Sequence, residues 1–443
     1  MADQPKKLHI AVFPWLAFGH ILPFYELAKV IAQKGHKISF ISTPRNIKRL
    51  PKLPSNLQPF VEFIELPLPQ VENLPQNAES TMDIPQHIEP YLKKAFDGLE
   101  EPLTKFLERS TPDWLIYDFA PFWLPPISSK LGILCISFCI FSASGASFCL
   151  NIIQNETSDT TNEPYRVTFQ RLLAKEKDFS VSDAFRIQET NRGSAFTAIR
   201  SCMEIEGESI NSIRNLLKKP VFPVGLLPPS VDDNENSTED ENWNTIRKWL
   251  DEHEKGSVIY VAFGSEVTIT DEEFTEITMG LELSGFSFFW ILKRKNGPNT
   301  GSSIESKYKR GIIWNTWAPQ LKILAHKSVG GFLSHSGWSS VIESLQFGCP
   351  LILLPFQNEQ GLVARVMEEK MVGVRVPRNE HDGKFTRDSL AKALRSVMML
   401  EDDKGKIIYR NHAEKMSKII GDKELHQRYI DEFVHYMEIH RPA

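Results

Sequence analysis

The sequence predicts an α/β protein of two doubly wound domains in tandem, facing each other across a cleft. Three observations lead there. Short apolar runs recur, each followed by a helical pattern, and continuous apolar strands alternating with helices imply parallel sheets covered on both faces. The alternation stops and then starts again at Ser257. Between the two series lies "GLLPPSVDDNENSTEDENWN" (225–244), which opens with a Pro pair and is acidic, polar and nearly free of large apolar residues, as a linker is. A length of 443 residues suits two or three domains at roughly 100–200 residues each.

The elements follow in order. "LHIAVFPW" (8–15) is the first strand, and "ILPFYELAKVIAQKG" (21–35) puts Ile21, Phe24, Leu27, Val30 and Ile31 on one helical stripe. "HKISFIST", "VEFIEL", "DWLIYDF" and "ILCISFCIF" are further strands. The second series opens with "SVIYVAFGS" (257–265) and the helix "DEEFTEITMGLELSG", whose start carries a capping box in Thr270 and Glu273. "FSFFWILK", "GIIWNTW", "GGFLSHS", "CPLILLPF" and "VGVRVP" complete it. The segment 151–200 is polar and reads as short helices and loops. The final "HQRYIDEFVHYMEIH" is an amphipathic helix. The expected divisions are therefore a first domain over 1–228, a linker over 229–245, a second domain over 246–425 and a closing helix over 426–443.

Composition excludes several classes. A net charge of -5, from 51 basic and 56 acidic residues, offers no broad basic field for nucleic acid or an anionic membrane. No run of about 20 apolar residues suggests a membrane span, and the first residues lack the apolar core of a secretory signal. Five cysteines without metal-ligand pairing read as small buried hydrophobes in a cytoplasmic protein. No Asp-x-Asp triplet stands at a strand end, so no metal site and no resident cofactor are expected.

The stretch "FLSHSGWSSVIES" (332–344) carries the clearest chemistry. A strand ends, the chain turns at Gly337, and a helix begins at once. The N–H groups and dipole at such a helix start attract phosphate. Ser339 and Ser340 add hydroxyls, His335 an imidazole, and Glu343, one turn after Ser339, can accept from ribose hydroxyls. Taken alone, the loop equally suits two serines that merely cap a helix beside a structural histidine.

The longer stretch from Trp317 to Gln360, "WAPQLKILAHKSVGGFLSHSGWSSVIESLQFGCPLILLPFQNEQ", resembles the signature box of plant family-1 UDP-dependent glycosyltransferases. The resemblance covers essentially the whole chain, including "FPWLAFGHILPFYELAK" and "VAFGSE". It implies the GT-B arrangement of two Rossmann-like domains, with the last helix crossing back to the first. It also implies that Trp317 stacks on uracil, the Ala318 backbone pairs with its edge, and Gln320 and Glu343 hold the ribose. By the same resemblance His335, Ser340 and Ser265 contact the diphosphate beside Gly337 and Ser339, while Trp338, Glu359 and Gln360 bind the sugar; Gly19 joins the donor site from the first domain. The family usually has Cys and Asn where this chain has Ser336 and Ser339. The Ser pair resembles the branch that adds a sugar to an already glycosylated acceptor and includes rhamnosyltransferases.

Glycosyl transfer needs a general base for the acceptor hydroxyl. His20 follows the first strand at a helix start, where the positive dipole end favours the neutral imidazole. Asp118 ends the strand "DWLIYDF" and suits the task of fixing the tautomer. Asp113, at the start of that strand, is the other candidate partner. The implied reaction is an inverting displacement by a monomeric enzyme, from a UDP-sugar to a small hydrophobic flavonoid- or terpenoid-type metabolite or its glycoside. Glucose is the expected sugar because Glu359-Gln360 ends the box, with rhamnose the alternative. Phe18, Phe119, Phe122 and Phe138 are candidate acceptor liners. Two other classes compete: a dinucleotide oxidoreductase, which needs Gly-x-Gly-x-x-Gly where "WLAFGHILPF" has one Gly, and an inactive nucleotide-sugar-binding protein.

Overall fold

The computed structural model describes residues 7–155, 181–230, 241–264, 266–292, 308–357, 359–379, 382–403, 405 and 407–442. The chain divides into two compact units. Among the described residues, the first joins those up to Leu227 with those from Lys423 onward, and the second takes those from Pro228 to Asp422. The core of the expected linker, 231–240, lies outside the described residues.

The first unit holds a seven-stranded parallel sheet: β1 (His9–Phe13), β2 (Lys37–Ser42), β3 (Val61–Glu65), β4 (Trp114–Tyr117), β5 (Leu134–Cys139), β6 (Phe196–Ile199) and β7 (Val221–Pro223). Their spatial order is β3-β2-β1-β4-β5-β6-β7, so the winding reverses between β1 and β4. Strand β1 shows why such strands are apolar throughout. Ile10 and Val12 enter one core with Ile21, Phe24 and Leu27 of the helix Phe18–Ala32, while Ala11 and Phe13 enter the opposite core with Leu92 and Phe96. The helix Lys423–Ile439 adds Ile430, Phe433, Val434 and Met437 to the first of these cores, and Trp114 Nε1 donates to Met437 O at 3.1 Å.

The second unit holds six parallel strands: β8 (Val258–Ala262), β9 (Ser287–Ile291), β10 (Gly311–Trp314), β11 (Val329–Ser334), β12 (Leu351–Leu353) and β13 (Gly373–Arg375). The order is β10-β9-β8-β11-β12-β13, reversing between β8 and β11. The capping box forms as expected. Thr270 N donates to Glu273 Oε2 at 2.9 Å, and Glu273 N donates to Thr270 Oγ1 at 3.2 Å.

Strands β6 and β7 have no counterpart in the sequence reading. "FTAI" is four residues with a central Thr, and "VFP" is a three-residue edge strand ending in Pro. Neither is long enough to show a period. Within 151–200 the described helices are Ala143–Asn155, which runs into the segment, and Asp183–Gly193.

Candidate active site

In an open α/β sheet, ligands gather beyond the carboxyl ends of the strands where the winding reverses. In the first unit that place is occupied by His20 and Asp118. The chain leaves β1 through Pro14–Ala17, and His20 is the third residue of the next helix. Asp118 directly follows β4. His20 Nδ1 lies 2.6 Å from Asp118 Oδ2, with side chains only 12% and 3% exposed. A carboxylate can only accept, so Nδ1 carries a hydrogen, and in the neutral imidazole the lone pair is then on Nε2. Asp118 is itself oriented: Oδ2 accepts from Trp15 N at 3.1 Å and Oδ1 from Phe119 N at 2.7 Å. Phe119 and Phe141 flank the imidazole, with ring centroids 5.7 and 5.4 Å away.

Asp113 is employed elsewhere. It accepts from His9 N at 2.7 Å and from Arg441 Nε at 2.7 Å, at the amino end of the sheet. Gly19 occupies the exposed first helical turn beside His20, and a Cβ there would meet nothing within 4 Å. Of the candidate liners, Phe18, Phe119 and Phe122 are partly buried at core margins. Phe138 is a correction: it is 1% exposed and packs on Phe24 at 4.8 Å, so it is core.

In the second unit the reversal between β8 and β11 carries the histidine loop. The helix Trp338–Leu345 has Gly337 as its N-cap and no side-chain cap, so Ser339 and Ser340 are not capping residues. The first N–H groups of a helix have no acceptor within it, and here no side-chain oxygen is supplied by the cap. The role expected of Gly337 is corrected. Its φ is −63°, which any residue adopts; Ser336 takes the left-handed φ of 70° instead. Gly337 is needed for space, since a Cβ would stand 2.4 Å from His335 Nε2. Gly264, with φ +75°, also leaves room for the ring, its Cβ position 3.1 Å from His335 Cε1.

His335 thus lies between the turns after β8 and β11. Its Nδ1 is buried with no hydrogen-bond partner among the described residues, as is Ser336 Oγ. Burial lowers its pKa to about 4, which keeps the imidazole neutral at pH 7. Ser340 is 9% exposed and Ser339 is half-buried in the first turn; Ser265 lies outside the described residues.

Trp317 is 62% exposed, whereas Ala318 beside it is buried. A large aromatic face left in water at a strand end is what a flat base can cover. Gln320 Nε2 donates to Glu343 Oε2 at 2.5 Å, and Tyr260 OH donates to Gln320 Oε1 at 3.1 Å. Burial and the Glu343 carboxylate keep Tyr260 protonated. Tyr260 was not legible as a site residue because it reads as one more apolar position in "VIYVA".

Trp338, the first residue of the helix Trp338–Leu345, is buried at 4% exposure. Glu359 and Gln360 begin the helix Gln360–Glu369 as N-cap and first residue. Gln360 is 5% exposed, and its Oε1 accepts from Phe356 N at 2.9 Å and Gln357 N at 3.0 Å. Both carbonyl lone pairs are thereby taken, and the side chain retains only its N–H donors. Among the described residues no group of three or more His, Cys, Asp or Glu could hold a metal ion, and no helix is long and apolar enough to cross a membrane.

Known proteins resemble this chain over nearly its whole length. A family model described as UDP-glucoronosyl and UDP-glucosyl transferase matches residues 205–439. The chain is 42% identical to UDP-glycosyltransferase 91A1 of Arabidopsis thaliana, over 98% of this chain and 97% of that protein. It is also 42% identical to soyasaponin III rhamnosyltransferase of Glycine max, over 99% and 97% respectively. In structure it is similar to Glycyrrhiza uralensis UGT73P12 complexed with glycyrrhetinic acid 3-O-monoglucuronide, with a TM-score of 0.79 and 23% identity over 98% of this chain and 96% of that one.

Proposed function

The chain belongs to the UDP-glucoronosyl and UDP-glucosyl transferase family and is a UDP-glycosyltransferase, and we propose that it works by inversion with His20 as general base. The observation that carries this is the 2.6 Å bond from His20 Nδ1 to a carboxylate that two backbone N–H groups hold in place. With Nδ1 engaged, Nε2 is the atom that takes the acceptor's proton. The acceptor oxygen then bonds to the anomeric carbon as the carbon–oxygen bond to the diphosphate breaks, and the electron pair leaves on UDP. Asp118 stabilises the imidazolium formed in that step. Trp317 would stack on uracil, and Gln320 with Glu343 would hold the ribose. The start of the helix Trp338–Leu345, with His335 and Ser340, would meet the charge developing on the diphosphate.

The sugar is read as glucose, with Glu359 accepting from vicinal hydroxyls and Gln360 donating to one. A free amide could both donate and accept; with Oε1 occupied, only donation remains. A second reading, rhamnose, is favoured by the soybean relative named for rhamnosyl transfer and by the Ser339-Ser340 pair. That relative's name also supports a terpenoid glycoside as acceptor. Five free cysteines suit a reducing compartment such as the cytoplasm.

The test is a screen of UDP-glucose and UDP-rhamnose against flavonoid and terpenoid aglycones and their glucosides, reading product mass and anomeric configuration. An inverted product carrying a hexose supports the first reading. A deoxyhexose preferred tenfold or more replaces glucose with rhamnose, and a retained configuration refutes the single displacement.

A further inference from the structure

We propose that Arg378, outside the signature box, is a positioning residue that sets how the Gln360 amide meets the donor sugar. The inference rests on the assignment of Gln360 to that sugar.

Arg378 lies just past β13, the edge strand beside β12. Its Nη2 donates to Pro355 O at 2.7 Å and its Nη1 to Gly383 O at 2.7 Å. Its guanidinium lies over two rings, 5.6 Å from the Phe356 centroid and 5.2 Å from that of Phe385. Phe356 is further fixed edge-on against Phe263, at 5.3 Å. The planar, forked cation therefore grips the segment after β12 at two successive residues, by hydrogen bond at Pro355 and by its face at Phe356.

The same segment holds Gln360. The N–H groups of Phe356 and Gln357 occupy its Oε1. An amide so held presents its nitrogen in one direction, and rotating it by half a turn would set two N–H donors against an NH2 group. The path from Arg378 to Gln360 thus has two links: guanidinium to Pro355–Phe356, and the following backbone N–H groups to the amide. Where the Gln360 nitrogen points is decided by the grip on that backbone.

Calorimetric titration of the full chain with UDP, UDP-glucose and UDP-galactose tests this without an acceptor. In Arg378→Met the Kd for UDP-glucose should rise about five- to tenfold, the loss of one well-placed hydrogen bond. The Kd for UDP should change less than twofold, because the residues assigned to base, ribose and diphosphate are not held by Arg378. Discrimination against UDP-galactose should narrow in step. Gln360→Ala should give the same pattern, and the double variant should be no weaker than Gln360→Ala alone. Arg378→Lys, which keeps the charge and can keep one of the two hydrogen bonds, should recover at least half of the loss. Equal weakening of UDP and UDP-glucose in both Arg378 variants would overturn the proposal, leaving a residue that merely supports the fold. So would an unchanged Arg378→Met beside a weakened Gln360→Ala, or additive losses in the double variant. An unchanged Gln360→Ala would instead refute the assignment of Gln360 on which the proposal rests.

Discussion

Replacing Asp118 by Asn removes one charge from an almost dry place and leaves the shape in place. The carboxylate uses its two oxygens unequally: Oδ1 accepts from Phe119 N, while Oδ2 accepts from both His20 Nδ1 and Trp15 N. An asparagine must turn its NH2 toward one side or the other. Toward Oδ2 it would confront two donors, so the amide oxygen takes that position and Phe119 N loses its partner, at about 1–3 kcal/mol of stability. His20 keeps its tautomer. What is lost is the negative charge that the imidazolium feels as it forms. With charge centres about 4 Å apart and an effective dielectric near 20, that loss is about 4 kcal/mol, or about 10³ in rate at 1.36 kcal/mol per tenfold. The assay is kcat for the folded variant with an acceptor taken from the screen, beside calorimetric Kd for UDP. The expected result is a thousandfold fall in kcat with UDP affinity within twofold. A fall of less than tenfold would refute Asp118 as the group that stabilises the transition state.

Three further outcomes follow from the same geometry. His20→Ala should abolish transfer while UDP still binds, and near-wild-type turnover by a folded variant would remove His20 from the base's role. Trp317→Ala should weaken UDP about 5- to 150-fold, as losing one base-stacking face does, yet leave the melting temperature nearly unchanged because that ring is 62% exposed. Burial lowers the pKa of His335 to about 4 from 6.5, so its contribution to stability is complete above pH 6.5 and is lost as pH falls toward 4. Urea unfolding across that range should show His335→Gln with a shallower slope than wild type, by up to one proton or about 1.4 kcal/mol per pH unit; equal slopes would mean the ring is not held neutral.

The fold was legible where a strand lies in a longer run of mainly apolar sequence, and not where the run itself is short, as at β6 and β7. In "HIAVF" alternate residues serve opposite cores, so the whole run is apolar and stands out. The two missed strands are short: "VFP" is three residues long, and its neighbour "FTAI", though buried throughout, is four with a Thr. The closing helix was readable as amphipathic, because the residues it buries against the first unit recur at helical spacing. Tyr260 and Arg378 gave no signal. One hides in an apolar strand, and the other acts through main-chain carbonyls that any sequence supplies.

Residue type tells which bonds a side chain can form; the fold decides which are already taken. Gln360 can donate and accept in principle. Two backbone N–H groups consume its oxygen, so it arrives at a ligand as a donor alone. Asp118 shows the converse. Its chemistry was legible from position, but its strength comes from Trp15 N and Phe119 N, which no side-chain pattern reveals. Gly337 shows a third case, in which the glycine was expected for its backbone freedom and is instead required by the histidine ring pressed against it. In each case a main-chain group or a lack of space sets the role, and these depend on the turn beyond a strand. Asp118 and Gly337 stand at the winding reversal of their own sheets, and Gln360 follows the next strand, β12. The sequence therefore locates the sites through strand pattern and motif, while the direction of each donor and acceptor is fixed by loop backbone that carries no residue code of its own.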